Sequence, residues 1–180
     1  MSVPKYPLLK NVHSYLKHPS NEDVYLTKYN YYYHHYICDG FNDVGWGCGY
    51  RTLQSICSMI IMTNEIEVSV PSIKQIQEIL CKIGDKETSF MNSREWTGAI
   101  ETCYVIDELF NIPSYLHHIS NSERISTKRN EIVNYFRDHG GVIAMGGDQD
   151  AASKLIAGVS VSKDEELSLL VVKFQKVPKI

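Results

Sequence analysis

The chain lacks a long apolar run and a strong charge excess, and each absence excludes a class of protein. No segment approaches the roughly 18 apolar residues that a membrane-spanning helix needs. Lys10, His13 and Lys17 interrupt the amino-terminal segment, which therefore lacks the apolar core of a secretion signal. Lysine and arginine number 18 and aspartate and glutamate 21, and the net charge of −3 favours neither nucleic acid nor an anionic membrane as a partner. We expect a cytoplasmic protein without direct membrane insertion, and we expect a monomer.

The chain also has no Cys-x-x-Cys pair and no cluster of histidine and cysteine at metal-ligand spacing. Its five cysteines are Cys38, Cys48, Cys57, Cys81 and Cys103. An odd number of widely spaced cysteines is typical of free thiols in a reducing compartment. We therefore expect no metal and no other cofactor.

What is present fits one globular domain with helices early and strands late. The 180 residues, 43% of them hydrophobic, suffice for a single core. We expect residues 1–30, which are polar and irregular, to form an N-terminal arm, followed by the domain at residues 31–180. Helices are predicted from about Cys48, from Pro71 to Gly84, from Ser93 to Phe110 and from Ser126 to Asp138. Strands are predicted at 31–38, 115–119, 142–145, 155–161 and 167–174. This order indicates an α+β fold, and the core of the third helix is predicted to be Trp96, Ile100, Val105 and Leu109.

The most informative segment surrounds Cys48, which stands between Gly47 and Gly49 at the start of a predicted buried helix. Unpaired backbone N–H groups and the helix dipole favour a negative sulfur there, and the same N–H groups could stabilise an oxyanion. Glycine on both sides lets a substrate backbone approach the sulfur. These features predict a cysteine nucleophile. The structural alternative is a cysteine that packs a tight turn, with Trp46 as a core anchor.

Three blocks of sequence resemble one protein family, in the right order. Residues 36–57, YICDGFNDVGWGCGYRTLQSIC, look like the active-site segment of the cysteine proteases specific for ubiquitin-fold modifier 1, especially the short, single-domain type. Residues 145–155, MGGDQDAASKL, resemble the family's second signature, and residues 93–98, SREWTG, match a weaker block between them. The resemblance covers roughly residues 33–172.

The resemblance implies a papain-like cysteine peptidase fold and a role for each matching residue. Cys48 takes the place of the nucleophile, and Tyr36 takes the place of the tyrosine whose hydroxyl helps to form the oxyanion hole. We expect Trp46, Gly47 and Gly49 to line a narrow substrate cleft suited to a tail that ends in glycine. The expected partner is ubiquitin-fold modifier 1, as precursor and in conjugates, because the family cuts after its C-terminal glycine.

The chain departs from the family where the acid and the base are expected. After the second signature the family continues through a strand into Asp-Pro-His, and aligning the strand of residues 169–172 places Lys173, Phe174 and Gln175 at those three positions. Glutamine cannot exchange a proton near neutral pH, and lysine is a poor base unless it is strongly desolvated. We expect the fold to be truncated at the C-terminal end of its sheet. The alternatives are an inactive homologue that binds the modifier without cleaving it, and a redox-sensing domain that uses Cys48 as a reactive thiol.

Overall fold

The computed structural model describes residues 7–120, 122–146 and 152–174. Its helices are α1 (Cys48–Thr63), α2 (Ile73–Lys82), α3 (Ala99–Phe110) and α4 (Arg129–Asp138). Its strands are β1 (Leu9–Lys10), β2 (Asp23–Leu26), β3 (Tyr32–Tyr33), β4 (Ile143–Met145), β5 (Lys154–Val161) and β6 (Leu167–Val172). Short 3-10 turns occur at Val12–Tyr15, Thr88–Phe90 and Ile125–Lys128. No helix among these residues is long and apolar enough to cross a membrane.

The main sheet is built around β5, and all of its pairings are antiparallel. One edge of β5 pairs with β4 and then with β2, and the other edge pairs with β6. The β5–β6 pairing has a register shift between Ile156 and Gly158, and on the β2 side of β5 the ladder continues with a bond from Thr27 N to Ala157 O at 2.9 Å. Within the described ranges, β6 has no strand on its other edge. The two short strands β1 and β3 form a separate pair.

Helix α1 is the centre of the core and packs against α3, β3 and β5. It is buried on nearly every side, and its apolar residues Leu53, Ile56 and Ile60 join one large hydrophobic cluster. The hydroxyls of two buried serines of α1 accept hydrogen bonds from backbone N–H groups of the segment that contains β3. Ser58 Oγ accepts from Tyr32 N at 2.9 Å, and Ser55 Oγ accepts from His34 N at 3.1 Å. These bonds attach the chain that leads to Tyr36 to the flank of the helix.

Helix α2 shows how local sequence sets its ends. Ser72 and Gln75 form a capping box, in which Ser72 Oγ accepts from Gln75 N at 3.3 Å and Gln75 Oε1 accepts from Ser72 N at 2.9 Å. The helix is followed by Gly84, whose φ of +78° is a left-handed conformation that favours glycine. Its buried face carries Ile73, Ile76 and Leu80.

Several predicted elements differ from the structure. The predicted arm at residues 1–30 contains β2, which is hydrogen-bonded into the main sheet, so the sheet crosses the expected boundary at residue 30. The strand predicted at 115–119 is not formed, and the strand predicted at 31–38 is reduced to Tyr32–Tyr33. Helix α3 begins at Ala99 rather than near Ser93, because Gly98 and Glu101 cap it there.

The predicted core of α3 is wrong at three of its four positions. Trp96, Ile100 and Leu109 are exposed by 54%, 50% and 39%, whereas Val105 is fully buried as predicted. The buried face is completed by Thr102 and Ile106.

Candidate active site

Cys48 is the first residue of α1, and its side chain is half-buried. Gly47 precedes it as the N-cap and offers no side-chain acceptor, so the first-turn N–H groups keep their capacity for another partner. No acidic side chain occupies this turn. The sulfur therefore lies at the electropositive end of a buried helix, where a thiolate or an oxyanion is favoured.

The Tyr36 side chain lies close enough to Cys48 for the phenol and the thiol to interact electrostatically. Burial, and then the negative charge that Cys48 can carry, raise the pKa of Tyr36 to about 12. The phenol therefore keeps its proton at neutral pH and can donate it to a negative atom. The structure brings these two predicted site residues together at the head of α1.

Gly47 and Gly49 are required by close packing inside the protein, whereas the sequence suggested that they make room for a substrate backbone. A Cβ on Gly49 would collide with the backbone carbonyl of Thr97, and a Cβ on Gly47 would collide with the side chain of Asp43. Both glycines are buried, so their missing side chains allow close packing inside the protein. Their expected contact with substrate stays a prediction.

Trp46 lies mainly in the core and is only 6% exposed. Its ring packs edge-on against Phe41 and Tyr50, at centroid distances of 5.9 and 5.5 Å. Phe41 and the nearby Val44 are each 51% exposed and form the outer rim of the same loop. A direct contact of Trp46 with substrate is therefore limited to the small exposed part of the ring.

A buried charge network beneath this loop was missed by sequence reasoning. The Arg51 side chain is fully buried and donates through Nε to Asp43 Oδ2 at 2.7 Å. Its terminal nitrogens donate to both oxygens of Asp39 at 2.9 and 3.1 Å and to Gln54 Oε1 at 2.9 Å. The network attaches the loop before Cys48 to the helix that carries it.

The other two blocks of the resemblance also meet the start of α1. Thr52 Oγ1 donates to Cys48 O and lies 2.9 Å from Ser153 Oγ, in the second signature. Tyr50 Oη donates to the carbonyl of Glu95 at 2.9 Å, in the intermediate block. Residues 147–151 of the second signature lie outside the described residues.

At the positions expected for the acid and the base, the structure describes the first two residues. The Lys173 side chain is exposed, while its carbonyl accepts a hydrogen bond from Tyr33 Oη at 2.7 Å. Phe174 is only 3% exposed and stacks on the Tyr33 ring at 5.7 Å between centroids. Gln175 lies outside the described residues.

Two histidines precede Tyr36 on the same segment. His34 is buried, and its Nδ1 lies 3.2 Å from Tyr32 O; burial lowers the pKa of His34 to about 4, so its ring is neutral near pH 7. His35 Nδ1 donates to Tyr36 O at 2.8 Å. Among the described residues, no group of three or more side chains is arranged to hold a metal ion.

Comparison with known proteins identifies the family. A family model described as Peptidase family C78 matches residues 22–178. The chain is 42% identical over 177 residues to "Probable Ufm1-specific protease 1" of Drosophila melanogaster, a match that covers 94% of this chain and 74% of the fly protein. It is 34% identical to "Ufm1-specific protease 1" of Mus musculus, over 91% of this chain and 75% of the mouse protein.

Longer relatives match over a smaller share of their length. "Ufm1-specific protease 2" of Danio rerio is 39% identical over 87% of this chain and 39% of its own. The crystal structure of UfSP from C. elegans superposes with a TM-score of 0.80 at 27% identity, covering 96% of this chain and 31% of that one. The predicted family and the predicted α+β, papain-like fold are confirmed by these matches.

Proposed function

The chain belongs to peptidase family C78, and from that premise we propose that it is a thiol peptidase acting on the C-terminal glycine of ubiquitin-fold modifier 1, with Cys48 as nucleophile. Relatives named Ufm1-specific proteases cover nearly the whole chain. The single observation that carries the proposal is the pairing of the Cys48 sulfur with the Tyr36 hydroxyl at the head of α1.

The proposed chemistry begins with attack of the Cys48 thiolate on the carbonyl carbon of the terminal glycine. The negative oxygen of the tetrahedral intermediate accepts hydrogen bonds from the Tyr36 hydroxyl and from first-turn N–H groups of α1. The C–N bond then breaks, the amine leaves with a proton, and a thioester joins the modifier to Cys48. Water hydrolyses the thioester and releases the modifier with a free C-terminal carboxylate.

Proton transfer is the step that this chain supports least. In protease triads, a histidine takes the thiol proton and later protonates the leaving amine. Lys173 and Gln175 occupy the corresponding positions, and a glutamine exchanges no proton near neutral pH. By analogy with protease triads, we expect turnover to be lower by roughly 10⁴- to 10⁶-fold than with the acid and base present.

This replacement favours a second candidate, a homologue that binds the modifier without cleaving it. One assay separates the two: the purified chain is incubated with modifier precursor, and the trimmed product is followed by mass spectrometry. Product that disappears in Cys48→Ala supports the peptidase. No product, together with micromolar or tighter binding of mature modifier by calorimetry, supports the binding protein. Neither product nor binding contradicts both.

A gain-of-function variant sharpens the comparison. Lys173→Asp combined with Gln175→His restores the expected acid and base while keeping the buried Phe174. We expect product formation to rise by at least about 100-fold, since general acid–base catalysis contributes about 10²–10⁴-fold. Lys163→Asp, a change of the same kind at an exposed position, is the control and should leave the rate unchanged.

The proposal also includes a cytoplasmic, monomeric protein with no nucleic-acid partner. Size-exclusion chromatography with light scattering tests the monomer, for which a mass near 20.6 kDa is expected. Fluorescence imaging of the tagged chain in cells tests the location, and a purely membrane-bound signal would contradict it.

A further inference from the structure

Asp43 connects both sides of the Cys48–Tyr36 pair, one through its side chain and the other through its backbone carbonyl. The residue is fully buried, and its Oδ1 accepts a hydrogen bond from Ile37 N at 2.8 Å. Its backbone carbonyl accepts from Gly47 N at 2.8 Å. Ile37 directly follows Tyr36, and Gly47 directly precedes Cys48. Asp43 therefore holds the backbone that follows Tyr36 and the backbone that precedes Cys48.

The bond to Ile37 stabilises a conformation that isoleucine seldom adopts. Ile37 has a φ of +63°, in the left-handed region that a β-branched side chain rarely enters. The next residue, Cys38, also closes a turn by donating its N–H to His35 O at 3.1 Å. Without the carboxylate, the Ile37 backbone would relax toward negative φ, and the Tyr36 side chain would turn away from Cys48.

We propose that Asp43 is a positioning residue that holds the Tyr36 hydroxyl against the Cys48 sulfur by fixing the left-handed turn at Ile37. The catalytic purpose of this arrangement depends on the proposed function, but the arrangement itself is testable without any modifier. Arg51 is the counter-charge of the buried Asp43 carboxylate, which it binds through the 2.7 Å bond from Nε.

Asp39 offers a matched control in the same network. Its carboxylate is also bound by Arg51, at 2.9 and 3.1 Å, but its other acceptor role is toward Phe41 N at 3.1 Å. Changing Asp39 to Asn therefore removes one negative charge beside Arg51 and leaves the Ile37 bond in place. Asp43→Asn also removes one negative charge beside Arg51. In addition, it weakens the hydrogen bond to Ile37 N, because an amide nitrogen facing Arg51 would make the side chain reorient.

The test measures the rate at which iodoacetamide alkylates Cys48, followed by peptide mass spectrometry at pH 7. With Tyr36 beside the sulfur, the phenol can donate a hydrogen bond to the sulfur as it attacks, so the loss of this contact should slow alkylation. We expect Asp43→Asn and Tyr36→Phe each to slow alkylation by about three- to tenfold. Asp39→Asn should stay within about twofold of the parent.

Two further variants distinguish positioning from general damage. The double variant Asp43→Asn, Tyr36→Phe should react no more slowly than Tyr36→Phe alone, because both changes remove the same contact. Adding Ile37→Gly to Asp43→Asn should recover at least half of the lost rate, since glycine adopts positive φ without support. Additive losses, no recovery, or an equal loss in Asp39→Asn would overturn the proposal.

A measurement on the unaltered protein keeps the proposal testable if Asp43→Asn does not fold. The Ile37 amide, bonded to a buried carboxylate, should exchange its hydrogen at least about 100-fold more slowly than the amide of the exposed Val44, whose bond to Asn42 Oδ1 is long at 3.4 Å and solvent-exposed. Exchange at equal rates would overturn the proposed role. The modifier is absent from all of these experiments, so failure of the proposed peptidase activity would leave their outcome unaffected.

Discussion

Replacing Arg51 with methionine should destabilise the protein more than any surface change. The variant removes the only side chain among the described residues that donates to Asp43, together with both bonds to Asp39, while roughly conserving apolar volume. Among the described residues, the fully buried Asp43 carboxylate would then keep only the Ile37 N–H as a donor. Removing one partner of a buried ion pair costs about 3–5 kcal/mol, a large part of the roughly 5–15 kcal/mol that stabilises a typical domain.

The loss of unfolding free energy in Arg51→Met should be greater at neutral pH than in acid. Burial opposes ionisation of Asp39, but the hydrogen bond and positive charge of Arg51 outweigh it and hold the pKa of Asp39 below its ordinary value of 3.8. A depressed pKa in the folded state contributes stability above about pH 4, and that contribution disappears as the pH falls through the folded value. The difference between parent and Arg51→Met should therefore be largest near pH 7 and shrink below pH 4.

Urea unfolding followed by tryptophan fluorescence at pH 7 and pH 3.5 measures both effects. Lys82→Met is the control, because Lys82 pairs with Glu108 at 2.8 Å on the surface, and exposed pairs contribute roughly 0–1 kcal/mol. A loss in Arg51→Met no larger than in the control, or a larger loss at pH 3.5 than at pH 7, would refute the reasoning.

Three further predictions concern reactivity and packing. Burial raises the pKa of Cys57 to about 12. Iodoacetamide at pH 8 should therefore modify Cys48 and leave Cys57 unmodified until urea unfolds the chain. Peptide mass spectrometry measures both cysteines, and equal labelling of the two would contradict this prediction. Gly49→Ala should lower the unfolding free energy by about 1–3 kcal/mol through overpacking. Gly146→Ala, around which the described residues leave open space, should be nearly neutral when both variants are compared by urea unfolding. Phe174→Ala should cost about 3–5 kcal/mol, since a buried aromatic ring is removed, and an unchanged melting temperature would show that the ring is not packed as described.

Local patterns were sufficient for the elements that carry the site. Helix α1 begins at Cys48 as predicted, because the glycines before it break regular structure and the apolar spacing after it is helical. The strands β4, β5 and β6 were each predicted to within about two residues, since β-branched residues are concentrated there.

Other features depend on contacts between distant segments and could not be predicted from local patterns. Strand β2 is only four residues long, and although Val24 and Tyr25 favour a strand, so short a signal in a polar segment becomes a strand because β5 offers it an edge. Trp96 and Ile100 are apolar and four residues apart, as on one helix face, but α3 begins only at Ala99 and buries Thr102, Val105 and Ile106 instead. Propensity is a weak guide whenever packing decides which face is covered.

The charge network was hidden for a related reason. Asp39 and Asp43 resemble ordinary turn residues, and Arg51 lies on a helix where arginine is usually solvent-exposed. Their burial follows only when the loop folds back over α1. One sequence feature did indicate a polar interior: Arg51 is followed by the polar Thr52, Gln54 and Ser55 in a helix predicted to be buried.

Just after β6, two adjacent residues differ in how well they tolerate substitution. The carbonyl of Lys173 is held by Tyr33 whatever side chain the residue bears, and that side chain points to solvent. The neighbouring ring of Phe174 is enclosed by the protein and resists replacement. Position 173 can therefore exchange a lysine for an aspartate while the fold is kept.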